Sequence, residues 1–303
     1  MGQENRGNGA KQNGSYFTQR REEKYEMHAG AAAFVRNEIE RHLPLFEFRK
    51  GYPHTYITTV YFDTEELALY RIAREFYDDN VKVRLKEYCY RSPVPARLGS
   101  HESSASRWIT LETCFLEIKQ RYRAMVSKRR LEVPKRLFGR LIAGQDVWDE
   151  LVSSREGIEF DGMLDTYQDF RQYLRHYKVN PKSIINYRRS VYQEDEQELR
   201  ITFDDEIAVF PAIPGLYETV PALVRDSLGP PTGCIEKLTL EIKSQDKYPQ
   251  WLLDLLANYV PQRISKFTSS LSILANDLAC PEGDDGSKAY LLPIDIKNGD
   301  AAH

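Results

Sequence analysis

The chain has 303 residues, of which 41% are hydrophobic and 29% charged, the proportions of a globular protein with room for one large domain or two small ones. Its 42 lysines and arginines are offset by 45 aspartates and glutamates, for a net charge of −3. A general nucleic-acid binder would show a domain-wide basic excess, so any cationic site here is local. Four cysteines without a CxxC spacing and six histidines without HExxH or a pair at metal spacing suit free thiols in a reducing compartment and give no zinc or histidine metal centre.

Residues 1–18 are rich in Gly, Asn and Gln and read as a flexible tail. They lack the apolar core of a signal peptide, and Arg6 stands where a myristoylation signal wants Ser or Thr. No segment has the apolar length needed to span a bilayer, so the cytoplasm is the expected location and no direct membrane insertion is expected. The first strand is REEKYEM (21–27), followed by a helix over 31–43 with Phe34, Ile39 and Leu43 at helical spacing. A Gly-Tyr-Pro turn leads into a β-branched and aromatic strand over 55–64. In that strand Tyr56, Tyr61 and Phe62 read as packing, with Tyr61 able to approach a nucleotide base. A short helix over 64–75 takes Thr64 as its N-cap. VKVRLKEY (81–88) is a strand, SPVPARLGSHESSASR (92–107) a long loop, and the chain from Trp108 to Arg123 returns to β structure. Residues 133–154 and on to about 177 are helical in pattern, interrupted at Gly144. Strands follow over 182–192, 198–209 and 236–244. A helix over 249–259 starts with Pro249 at the first helical position, and an amphipathic helix covers 265–278. The folded domain is thus expected over 19–279, with a second polar tail at 280–303.

The chemistry lies in the alternation. Strand side chains alternate between faces, so Lys82, Arg84 and Lys86 share one face and Val81, Val83 and Leu85 the other. Glu117, Lys119, Arg121 and Arg123 likewise oppose Leu116 and Ile118, while Glu241 and Lys243 oppose Leu240 and Ile242. An open antiparallel sheet with one wet face also alternates. A polar face made of Lys and Arg with an occasional Glu favours a barrel with charges inward and aliphatics outward under helices, an α+β fold. A lumen lined by that much cation needs a polyanion.

The ordered series KYE, YFDT, VRLKEY, FLEIKQR, SKRR, YRRS, LRITFD, LEIK and SKF resembles the catalytic domain of the vacuolar transporter chaperone (VTC) complex, a polyphosphate polymerase of the triphosphate tunnel metalloenzyme superfamily. The resemblance runs over about residues 20–278. It implies an eight-stranded antiparallel tunnel wrapped by helices, a triphosphate bound inside with Mn²⁺ or Mg²⁺, and synthesis of polyphosphate from ATP. It also implies roles. Lys24, Arg84, Lys86, Lys119, Arg121, Tyr187, Arg189, Arg200, Arg263, Ser265 and Lys266 would bind the triphosphate or polyphosphate. Lys119, Arg189, Arg200 and Lys266 would be catalytic, and Glu241 would hold the metal, or instead pair with Lys243. Glu117 is expected to pair with cations beside Lys119, and Lys128 and Arg130 either extend the basic path or are solvated.

Departures from the family pattern sharpen the expectation. The superfamily's first strand reads Glu-x-Glu-x-Lys; here those positions are Arg20, Glu22 and Lys24, which disfavours metal-rich hydrolysis. Lys86 stands where the polymerase branch often has Arg, and Arg121 where a His can occur. With neither a phosphate-sensing helical domain nor a transmembrane module in view, the chain is expected to be a stand-alone, bacterial-type member, and export of product would need a separate membrane partner. The alternatives are a triphosphatase on the same tunnel, with water as nucleophile, and a non-catalytic polyphosphate-binding subunit.

Overall fold

The computed structural model describes residues 21–91, 108–123, 125–153, 161–194, 199–245 and 247–277. The two expected tails and the expected loop over 92–107 lie outside the described residues. Strands β1 (Arg21–Met27), β2 (Thr55–Asp63), β3 (Asn80–Arg91), β5 (Thr113–Tyr122), β6 (Met125–Pro134), β7 (Asn180–Gln193), β8 (Leu199–Pro211) and β10 (Leu238–Ser244) form one sheet in the order β1-β10-β8-β7-β2-β3-β5-β6. Every described pairing in it is antiparallel. Two short strands, β4 (Trp108–Thr110) and β9 (Gly233–Ile235), add to the edges of β3 and β8. The eight-stranded antiparallel expectation holds.

The sheet curls almost onto itself. β1 and β5 are six strand steps apart, which in a flat sheet is about 29 Å at roughly 4.8 Å per step. Yet Lys119 Nζ on β5 lies 3.9 Å from a Glu22 carboxylate oxygen on β1. Two side chains cannot bridge that gap unless the sheet bends round. Among the described residues no ladder joins β1 to β6, so the tube is a half-barrel rather than a ring closed by backbone hydrogen bonds. The free edge of β1 is instead covered by the segment before the last helix, where Gln262 N donates to Lys24 O at 2.7 Å.

The aliphatic faces point outward under the helices, as the alternation requires. Val81, Val83, Leu85, Leu116 and Ile118 pack in one core with residues of α2 (Ala68–Glu75), α3 (Lys135–Ile142), α4 (Trp148–Ser153), α5 (Asp161–Arg175) and α7 (Lys266–Asp277). A second core joins Leu240, Ile242, Ile201 and Phe203 to Val35 and Ile39 of α1 (Ala29–Glu40) and Leu252 of α6 (Gln250–Leu256). Most of both cores lies outside the half-barrel, though Ile57, Tyr61 and Tyr187 of the first also line its otherwise mainly polar bore.

Local expectations are corrected in three places. The N-cap position of α2 is Leu67, in the left-handed region at φ 56°. Asp63 accepts from Leu69 N and Tyr70 N at 2.9 Å each, while Thr64 Oγ1 takes only Ala68 N. A carboxylate reaches more of the orphan N–H groups than a hydroxyl does. Pro249 stands at the N-cap of α6 rather than inside it. The SKRR stretch forms strand β6, in a segment between Arg123 and residue 133 to which the sequence reading gave no element. Among the described residues no helix is long and apolar enough to cross a membrane.

Candidate polyanion site

The bore holds a cavity of about 500 Å³, within the usual range for a small-ligand site. Among the described residues, eleven cationic side chains line it, seven lysines (24, 82, 86, 119, 128, 243 and 266) and four arginines (84, 130, 189 and 200), against two carboxylates, Glu22 and Glu241. Of the residues expected from sequence, Lys24, Arg84, Lys86, Lys119, Tyr187, Arg189, Arg200, Glu241, Ser265 and Lys266 all reach this lining. Arg121 and Arg263 do not. Both stack on Tyr77, at 4.6 and 4.5 Å, and face Asp78 at 3.7 and 3.9 Å, outside the lining. Lys128 and Arg130 join the lining while staying 43% and 38% exposed. Sequence reasoning gave Lys82 and Glu22 no part in binding and Lys243 only that of a partner for Glu241, although their alternation with named residues was in view.

Register explains the concentration of charge. Lys82 on β3 lies directly opposite Lys119 on β5, and Lys119 lies opposite Lys128 on β6. Like charges in opposing positions destabilise a sheet, so three lysines abreast have a cost unless something anionic sits over them. Burial, and then the neighbouring cations, push the Lys82 ammonium down to about 7. Burial outweighs Glu22 and brings Lys119 to about 8, and outweighs Glu117 to bring Lys128 to about 8. Lys86 is 7% exposed, and no described carboxylate lies within ion-pair distance of it; burial, then Arg84, hold it well below the ordinary lysine range.

Five of the lining cations, Arg84, Lys128, Arg130, Arg189 and Lys266, are held by two fully buried carboxylates. Glu117, fully buried, accepts from Arg84 (2.7 Å), Lys128 (2.9 Å) and Arg130 (2.6 Å). It therefore serves Arg84 and β6 rather than Lys119, whose nearest described carboxylate is Glu22. Burial alone would raise its carboxyl, but Arg84, Lys86, Lys128 and Arg130 outweigh burial and hold it well below the usual range. Asp204, also fully buried, takes Arg189 Nε and Nη2 at 2.6 and 2.7 Å and Lys266 Nζ at 2.7 Å. Burial opposes its ionisation, yet Arg189 and Lys266 bring it to about 2. Asp204 was missed in the sequence, though it shares the facing of Arg200 and Thr202. Such pairs fix the guanidinium and ammonium groups in place before any ligand arrives.

The two lining carboxylates sit on neighbouring strands. Glu241 lies opposite Lys24 and Glu22 opposite Lys243. Glu241 bonds Lys243 at 2.7 Å and Glu22 bonds Lys24 at 3.0 Å. Burial would raise Glu241, but Lys243, Lys24 and Arg189 hold it ionised, well below the ordinary value. The structure therefore carries the expected Glu241–Lys243 pair. It also places a second carboxylate near enough to Glu241 to repel it. Two converging carboxylates fit a hard divalent cation that completes its shell with phosphate oxygens and water. Among the described residues no cluster of three or more His, Cys, Asp or Glu exists, so the protein alone supplies only part of such a shell.

At the start of α7, Ser265 Oγ accepts from Lys82 Nζ at 2.9 Å, and Lys266 reaches across to Asp204. Tyr61 is 3% exposed, close to Arg84 and 5.1 Å from the Phe267 ring. It packs beside the cationic wall and also contributes to the cavity lining.

The depressed lysines give a signed pH prediction. Because their folded values lie below the ordinary 10.5, the unfolded chain binds more protons, and stability of the ligand-free protein rises with pH between about 7 and 9.5. The window closes near pH 10, where tyrosines of the unfolded chain ionise while burial keeps Tyr61 and Tyr187 protonated. Scanning calorimetry at low ionic strength should show Tm rising by about 5 °C across the window. A flat or falling Tm from pH 7 to 9 would mean the lysine row is not strained.

The VTC domain family model matches residues 19–275. Similar solved structures include a candidate adenylate cyclase from Bacillus halodurans, 11% identical over 84% of this chain and 98% of that one, with a TM-score of 0.45. A Pyrococcus horikoshii protein is 12% identical over 83% of this chain and 99% of that one, with a TM-score of 0.37. A candidate adenylate cyclase from Vibrio parahaemolyticus is 12% identical over 86% and 99%, with a TM-score of 0.36. Likenesses this distant say nothing about activity. No curated protein matches the chain.

Proposed function

The chain belongs to the VTC domain family, and from that premise we propose that it is a metal-dependent polyphosphate polymerase. Membership supports a polyphosphate-related or triphosphate-binding function. The finer reading is transfer of the γ-phosphate of ATP to a growing polyphosphate chain, with release of ADP. The single observation that carries it is the row Lys82, Lys119 and Lys128, a run of like charge in register that Glu22 and Glu117 offset in part and that a multiply charged, extended anion would relieve further.

Arg84, Lys86, Arg189, Arg200 and Lys266 cradle the triphosphate in this reading, the arginines as planar forks and the lysines as point charges. Lys24, Lys119, Tyr187 and Ser265 complete the wall, while Arg121 and Arg263 stand outside the lining and serve at most a longer chain. Glu241, with Glu22 beside it, would hold Mn²⁺ or Mg²⁺. When bound, such an ion neutralises charge on the phosphate oxygens. The terminal phosphate of the chain attacks the γ-phosphorus in line and ADP leaves, so no protein nucleophile is required. Positioning and preformed positive charge supply the rate.

One assay decides among the readings. Purified protein incubated with ATP and Mn²⁺ is expected to yield long phosphate chains on a polyacrylamide gel, with ADP released in step. Orthophosphate alone would make the chain a triphosphatase, and unchanged ATP a binding subunit.

A further inference from the structure

The cavity has two chemically different ends, and phosphate recognition uses only one of them. The cavity-lining residues of β3 run Lys82, Arg84, Lys86, Tyr88, Tyr90, about 26 Å of strand at roughly 3.3 Å per residue. The series begins in lysine and ends in tyrosine. β5 runs the other way with the same gradient, since Lys119 lies opposite Lys82 and Phe115 opposite Lys86. The loop before β2 joins the aromatic end, because Arg49 stacks over both Tyr52 (5.4 Å) and Tyr90 (5.9 Å).

Phe48, the neighbour of Arg49, lines the cavity there and is 49% exposed. The Arg200 guanidinium covers its ring at 5.2 Å and Phe46 meets it edge-on at 5.1 Å. Across the cavity Tyr88 and Phe115 meet edge to face at 5.5 Å, with Arg130 over both rings at 5.6 and 4.6 Å. Phe48 and Phe115 belong to neither hydrophobic core. Phosphate oxygens gain nothing from aromatic faces. A planar, partly apolar group does, and stacking on Phe with Arg behind it is how bases are commonly held.

We propose that Phe48, Tyr88 and Phe115, with Arg130 and Arg200, form a nucleobase subsite that seats the base of a nucleoside triphosphate and fixes its direction. The base stacks on Phe48 at the aromatic end, and the γ-phosphate points toward Lys82, Lys119 and Lys128. This rests on the triphosphate reading above and adds what distinguishes a nucleotide from an inorganic triphosphate.

The test is isothermal titration calorimetry of ATP and, separately, of inorganic triphosphate, both in EDTA so that no turnover intervenes. Phe48→Ala is expected to weaken ATP binding about tenfold, the scale of one base–aromatic stack, and to leave inorganic triphosphate within about twofold. Phe48→Tyr, which keeps the stacking face, should restore ATP affinity. Unchanged ATP affinity in Phe48→Ala overturns the subsite, and so does an equal loss for both ligands, which would mean the ring acts only through Arg200. Wild-type protein that binds neither ligand would instead sink the triphosphate reading and the subsite with it.

Discussion

Asp204→Asn should lose about 3–5 kcal/mol of stability in the ligand-free protein, the usual consequence of removing one partner from a buried ion pair. The substitution keeps the shape and removes only the charge. Asp204 is completely enclosed and receives three charge-assisted hydrogen bonds, two from Arg189 and one from Lys266. Without the carboxylate both cations stay buried near Lys86 and Arg84, with the charge of Glu241 left to offset them. The expected fall in Tm is about 10 °C. A polyanion reverses the sign of the problem, because its oxygens replace the missing charge. Saturating inorganic triphosphate should therefore raise the Tm of Asp204→Asn by more than it raises that of the wild type. A variant that melts within two degrees of wild type would show that Arg189 and Lys266 do not depend on Asp204. Equal ligand-induced shifts would show that they are not turned toward the ligand.

The same two-sided logic explains what was legible in the sequence. Period-two alternation is a local property, so the facing of Lys82, Arg84 and Lys86 against Val81, Val83 and Leu85 could be read directly, and the outer cores bear it out. Glu87 shows the limit of reading charge as lining. It lies in the same charged run but on the aliphatic face, fully buried, where it bonds Lys135, Tyr217 and the Leu223 amide. Strand β6 escaped notice for want of a turn signal. The register pairs Tyr122 with Met125, leaving two residues between, and Arg123 takes φ 45°. Left-handed turn positions usually carry Gly, Asn or Asp, so an arginine at 123 gave no cue. Arg121 was placed in the site by the family resemblance, on the strand face it shares with Lys119. It sits one step too far along β5 and stacks on Tyr77 instead. How far a lined face extends along its strand is set by what covers the ends, which alternation cannot show. Pairings such as Lys82 with Ser265 join residues 183 positions apart and follow only from closure of the half-barrel.

Glu241→Gln is expected to change binding and turnover in opposite directions. Glu241 is 8% exposed and held ionised by Lys243, Lys24 and Arg189, so it is a fixed negative charge in a wall otherwise built for an anion. If its task were only to neutralise Lys243, with which it pairs at 2.7 Å, the glutamine variant would keep metal-dependent turnover, with some loss of stability. If it holds the cation that joins protein to phosphate, turnover of ATP in Mn²⁺ should fall by about a hundredfold or more, the scale of losing one preorganised electrostatic contact. The metal concentration needed for half-maximal rate should rise with it. Removing the charge also removes its repulsion of the phosphates and frees Lys243 to meet them. Inorganic triphosphate in EDTA should then bind several times more tightly, by about 1 kcal/mol, as expected for deleting one like charge near a partly screened site. Calorimetry and a Mn²⁺ titration of the rate separate the cases. Weaker triphosphate binding in EDTA would mean that Glu241 orders the cations rather than opposing the ligand. Undiminished turnover would move the metal away from β10 altogether.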